Sequence, residues 1–170
     1  MFSMAHNLLP DFDSPTLALK VATDEERLQA WNVFGSEWEG PFSLEAFVDR
    51  LKYLSNQEAT RDGGIKTWIL YDTAETLEND KQHTILASCE TLRRNAIISH
   101  HIDGAWKVEE VVCYGIASVY CRKEFRMKGY ARRMVTELSS ILSGMNPLPG
   151  FDRCTFSVLY SNVGTVMSCP

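Results

Sequence analysis

Residues 119–134 read VYCRKEFRMKGYARRM, and this stretch decides the architecture. The run that leads into it, residues 108–121, carries five Val or Ile residues and ends in charge, so it reads as a strand. A short basic loop follows, with the pattern Arg126-x-x-Gly129-x-Ala131. Met134, Val135, Leu138 and Leu142 then recur on one side of a helix expected over residues 129–142, before Gly144, Pro147 and Pro149 end it. A strand, a tight turn with small residues and a helix start make a place where a ligand can approach backbone closely. The first N–H groups of a helix lack internal partners and sit at the positive end of its dipole, so such a turn can hold a phosphate. Arg126, Lys128, Arg132 and Arg133 add positive charge around it. A βα turn with a solvated basic face carries the same pattern. No G-K-[ST] and no G-x-G-x-x-G is present, so the Walker and dinucleotide alternatives fit less well.

Working outward, residues 16–21 (TLALKV) alternate as a strand, and Thr23 with Glu26 forms a capping-box pattern that starts a helix. That helix is expected to run to about Phe34, with Gly35 as terminator and Trp38 in a loop beyond it. A second helix starts near Pro41-Phe42-Ser43, with Phe47, Val48, Leu51 and Leu54 on one face. Asp62-Gly63-Gly64 is a turn, residues 66–71 (KTWILY) and 84–91 (TILASCET) are strands, and residues 72–83 form a polar loop. Asp103-Gly104 punctuates the run from 95 to 107, and His100-His101 falls in the turn. Residues 154–160 give the last strand. The order βααβββαβ predicts one α/β domain over residues 1–170 with a mixed, largely antiparallel sheet flanked by helices.

The chain has 170 residues, 45% hydrophobic, and a net charge of −5. That size and composition suit one globular domain with its own core. The charge disfavours a nucleic-acid partner and is compatible with a cationic one. The central uncharged stretch, residues 111–121, is too short for a membrane span, which needs about 20 residues. No basic residue precedes Lys20, so no signal peptide is expected, and the five cysteines, an odd number without a C-x-x-C pair, point to a reduced, cytoplasmic setting. The four histidines add no ligand spacing, so no metal is expected.

Residues 117–134 resemble the acetyl-CoA-binding motif of the GNAT N-acetyltransferases, in which a central strand leads into [QR]-x-x-G-x-[GA] and a helix. The resemblance implies a pyrophosphate cradled by Arg126, Met127, Lys128, Gly129, Tyr130, Ala131 and Arg132, and a pantetheine arm along Val119, Tyr120 and Cys121. Met127 stands where the family often has a small residue. Three further blocks, ILASCE (85–90), EVVCYGI (110–116) and VLYSNVG (158–164), resemble the fungal enzymes that acetylate free lysine in lysine catabolism. On that resemblance Asn162, in the last block, also lies at the cofactor, and the acceptor is a small amine, lysine first. Such proteins continue past the equivalent of residue 170 with a helix and two strands, and the helix carries a thiolate-protonating Tyr. The chain is therefore expected to lack C-terminal elements, and the alternative to an active transferase is a truncated module that at most binds CoA. An attacking amine must lose a proton, so a carboxylate near the central strand is expected. Glu90, Glu109 and Glu110 are the candidates, and Glu110 is the choice, since related enzymes place a glutamate early on this strand. Cys113 and Cys121 read as small core residues, Tyr120 and Tyr160 as packed aromatics, and Trp31, Trp68 and Trp106 as core or pocket wall.

Overall fold

Thr23 caps the first helix as its sequence demands. Its hydroxyl accepts from the Glu26 N–H, and the Glu26 carboxylate accepts from the Thr23 N–H, in a computed structural model that describes residues 9–75 and 83–159. Strand β1 (Leu17–Val21) precedes that helix, α1 (Asp24–Trp38), and Ser43 caps α2 (Leu44–Ser55). Strand β2 (Ile65–Asp72), strand β3 (Ala87–Ile102), strand β4 (Ala105–Cys121), helix α3 (Tyr130–Leu142) and strand β5 (Phe156–Leu159) complete the order.

Helix α1 runs four residues past Phe34 and does not stop at Gly35. Gly35 is buried where α1 lies on α2: a Cβ there would stand 2.8 Å from Leu44 Cδ1 and 3.0 Å from Phe47 Cδ1. The glycine serves helix packing rather than helix termination, and Trp38 is helical.

The sheet order is β1-β2-β3-β4-β5. The first three pairings are antiparallel, and β5 returns parallel to β4 after the α3 crossover. β3 is longer than its apolar run, because it pairs with β4 as far as Ile102 and Ala105. Asp103 and Gly104 both take positive φ, the geometry of a two-residue hairpin turn. His100 and His101 therefore lie in β3, and Trp106, on the outer hairpin, is 71% exposed rather than part of a core.

Helix α3 covers one face of the sheet, where Tyr130, Met134, Leu138 and Leu142 join Trp68, Leu70, Tyr114 and Ile116. Helices α1 and α2 hold a second cluster of Trp31, Phe34, Phe47 and Val48 with Tyr120. No helix among the described residues is long and apolar enough to cross a membrane.

Candidate functional site

The turn between β4 and α3 is built on one anchor. Phe125 is buried in a single 3-10 turn and leaves its basic neighbours outside. Met127 and Gly129 both adopt left-handed φ, 64° and 83°, on either side of Lys128. Such alternation is the kind that makes backbone nests for anions. The N–H of Arg133 closes the first helical bond on the Gly129 carbonyl, and no side chain caps α3. The N–H groups of residues 127–132 have no acceptor among the described residues. Six donors at the positive end of a helix suit a diphosphate.

The side chains divide. Met127, Lys128 and Arg132 are exposed at this turn, and Ala131 is half-buried. Tyr130 instead points inward, where its hydroxyl donates to the Pro10 carbonyl and burial pushes the phenol up. Arg126 is not a mobile charge over the turn. Its Nη2 donates to Glu37 at 2.8 Å and its Nε to the Cys121 carbonyl at 3.0 Å, with the guanidinium near the Tyr120 ring. Gly129 is required by its positive φ and by Phe12, whose Cβ and Cγ lie 3.0 Å from where a Cβ would stand. The space over this glycine is thus held by a side chain of the N-terminal segment.

A helix expected to end near Phe34 gives Glu37 no place at the site. On the longer helix it lies three residues after Phe34, on the side that faces β4. The Tyr120 hydroxyl donates to it at 2.5 Å, and this bond, with the one from Arg126, holds its carboxyl below the usual carboxylate range. Burial first, and then Glu37, pushes the Tyr120 phenol up to about 12.

Upstream of the turn, β4 carries one extra residue against β3. Glu90 pairs with Ala117, but Ser88 pairs with Tyr120, and Ser118 sits in the bulge with φ of 53°. A one-residue slip moves side chains to the other face. Before the bulge Tyr114 and Ile116 face α3; after it Val119 and Cys121 do, and Tyr120 faces α1 and α2. The Cys121 thiol donates to the Leu86 carbonyl, and burial pushes it up, as burial does more strongly for Cys89, so neither is a ready nucleophile. Within the described residues β5 pairs with β4 only along Cys113–Ile116, so residues 117–121 lie beyond that pairing.

At the bulge Glu90 is buried. Trp31 Nε1 donates to one carboxylate oxygen at 3.0 Å and the Ser118 hydroxyl to the other at 2.7 Å. Glu110 does not join this cluster. It is exposed on the outer hairpin opposite Ile97, nine residues from Val119, a reach of roughly 30 Å along an extended strand. Glu109 is beside it on the hairpin, 3.8 Å from His100 Nδ1. Asn162, Tyr160 and Cys169 lie outside the described residues. Among those described, no group of three or more His, Cys, Asp or Glu could hold a metal.

No family model matches this chain. A lysine acetyltransferase of Yarrowia lipolytica is 27% identical over 125 residues, 73% of this chain and 29% of the relative. The chain spans about 29% of the length of the curated relatives it matches. Among solved structures, a Pyrococcus furiosus chain provisionally named an acetyl transferase superposes with a TM-score of 0.53 at 12% identity, over 88% of this chain and 85% of that one. Arabidopsis thaliana NAA60 in complex with a bisubstrate analogue gives 0.51 at 14% identity, over 85% and 74%. At these identities the likeness establishes the fold.

Proposed function

We propose that this chain transfers an acetyl group from acetyl-CoA to an amine. Its fold is the premise: the five-stranded, mostly antiparallel sheet with three helices is that of the GNAT acetyltransferases. The observation that carries the reading is the row of unpartnered N–H groups over residues 127–132 at the start of α3. These groups hold the pyrophosphate, and Lys128 and Arg132 contribute charge at its rim. The pantetheine arm lies along Val119, Tyr120 and Cys121, on the part of β4 beyond its described pairing with β5. Acetyl-CoA supplies the thioester carbonyl, and the chain positions it and stabilises the developing oxyanion with a backbone N–H of this segment. Free lysine is the acceptor, a reading supported by the Yarrowia relative and compatible with the net charge of −5.

Gly129 is a poor position for a test, because any side chain there meets Phe12 and the positive φ. Arg132→Glu is better, since residue 132 is exposed in the first turn of α3. Calorimetry with CoA should show binding by the 170-residue chain and a loss of roughly tenfold in affinity in the variant. Unchanged affinity in a folded Arg132→Glu protein overturns the cradle. For the acceptor, lysine, polyamines and histone peptides are offered together and products read by mass spectrometry. Preference for a peptide or polyamine overturns free lysine.

A further inference from the structure

We propose that Glu90 is the proton acceptor for the attacking amine and that it works through the hydroxyl of Ser118. The proposal rests on the acetyl-transfer reading and assigns the proton path of that site.

Three observations carry it. First, Glu90 is 6% exposed, and no Lys, Arg or His lies within ion-pair distance of it among the described residues. A carboxylate buried without a cation is costly, so what holds it and what it faces need an account. Second, its two bonds come from neutral donors, Trp31 Nε1 and Ser118 Oγ. A serine hydroxyl has one donor and two acceptor positions. The Ser118 proton is directed to Glu90, and nothing among the described residues donates to its oxygen. The oxygen is therefore left to accept from a third group. Third, Ser118 is the bulge residue, a non-glycine held at φ of 53° and half-buried. Such a conformation persists where the surrounding structure fixes it, here the pairing of β3 with β4 on either side of the extra residue. The bulge lies just past Ile116, the last β4 residue paired with described β5, and just before the segment that leads to the anion cradle.

The step balances. The acceptor arrives as an ammonium and gives one proton to Ser118 Oγ, while the Ser118 proton passes to Glu90. The carboxylate becomes a carboxylic acid and the hydroxyl is restored. The freed lone pair forms the C–N bond on the thioester carbonyl carbon, and the C–S bond breaks with its electron pair on sulfur. The nitrogen's second proton goes to the thiolate, and Glu90 returns its proton to solvent.

The test uses the full 170-residue chain, Glu90→Gln and Ser118→Gly, with CoA affinity by calorimetry and acetyl transfer to the best acceptor amine of the wild type. Glutamine keeps a carbonyl for Trp31 and turns the Ser118 bond round, its amide N–H donating to Ser118 Oγ, and glycine suits the positive φ. Glu90→Gln should lower kcat by about 10²–10⁴-fold, the range of a lost general base, with KM for the amine and Kd for CoA within about threefold. A weakly basic acceptor, unprotonated at the assay pH and chosen from amines the wild type accepts, should recover most of that loss. A merely structural role predicts the same loss for both amines. Should Glu90→Gln not fold, Ser118→Gly decides, with at least a tenfold fall in kcat expected. Equal loss with both amines or full activity in either variant overturns the role of Glu90, whereas a wild-type chain that binds CoA but transfers to no amine overturns the acetyl-transfer reading beneath it. Failure of the wild type to bind CoA overturns that reading as well.

Discussion

Two glutamates are buried to nearly the same degree, Glu26 at 5% exposure and Glu90 at 6%, and their surroundings differ in kind. Glu26 stands at the start of α1 with the Lys20 ammonium 2.8 Å from one oxygen and the Thr23 N–H on the other. Burial pushes its carboxyl up, but the Lys20 bond, the Thr23 bond and the Lys20 charge outweigh this and hold it below its ordinary value. Glu90 stands in mid-sheet with an indole and a hydroxyl, and no cation. The first arrangement satisfies a charge and fixes a helix start. The second leaves a charge beside a bulge, the Ser118 hydroxyl and the strand segment that leads to the turn before α3. Burial alone therefore does not distinguish a structural carboxylate from a chemical one; the partners do.

The largest effect on stability should come at Trp31. Trp31→Ala removes a buried aromatic and the donor to Glu90, and urea unfolding should show a loss of about 3–5 kcal/mol. Next is Glu26→Gln, expected to cost about 1–3 kcal/mol at neutral pH, because Lys20 and the cap lose a charged partner. The folded carboxyl lies below its ordinary 4.5, so its contribution is present above that pH and disappears as pH falls through the lower, folded value. Unfolding measured from pH 7 downward should therefore show wild type and Glu26→Gln converging in acid. Glu90→Gln should change stability by no more than about 1 kcal/mol, since a neutral isostere satisfies both partners without a buried charge. A large loss in Glu90→Gln, or none in Glu26→Gln, would erase the contrast. The smallest effect belongs to Glu37→Gln, which releases Arg126 towards the turn and should tighten CoA binding about threefold by calorimetry.

Much of the fold was legible because its signals are local. Thr23 with Glu26 and Ser43 before α2 satisfy backbone groups within a few residues of themselves, and the strand-to-helix passage at residues 119–134 carries its pattern in one short stretch. Gly35 was misleading for a physical reason: a glycine that ends a helix and one that admits a neighbouring helix look alike in a sequence. Only the 2.8 Å approach to Leu44 separates them. The outer half of β3 was missed because its apolar residues are interrupted by Asn95, Ser99, His100 and His101 and none of it is buried, so that only pairing with β4 makes it a strand. Glu110 looked attractive as an acidic residue on the right strand, but the strand is long enough to carry it far from the turn.

The sequence by itself determined the element order, the sheet class and the place of the turn between β4 and α3, since capping, periodicity and the R-x-x-G-x-A spacing act over short distances. Tertiary structure decided which charges meet. Trp31, Glu90 and Ser118 are 59 and 28 residues apart along their two bonds, and Glu37 reaches Tyr120 across 83. It also decided the faces of β4, because one extra residue at Ser118 reverses every side chain after it. A bulge depends on the partner strand's register, and register is a property of two segments together, which neither segment specifies alone.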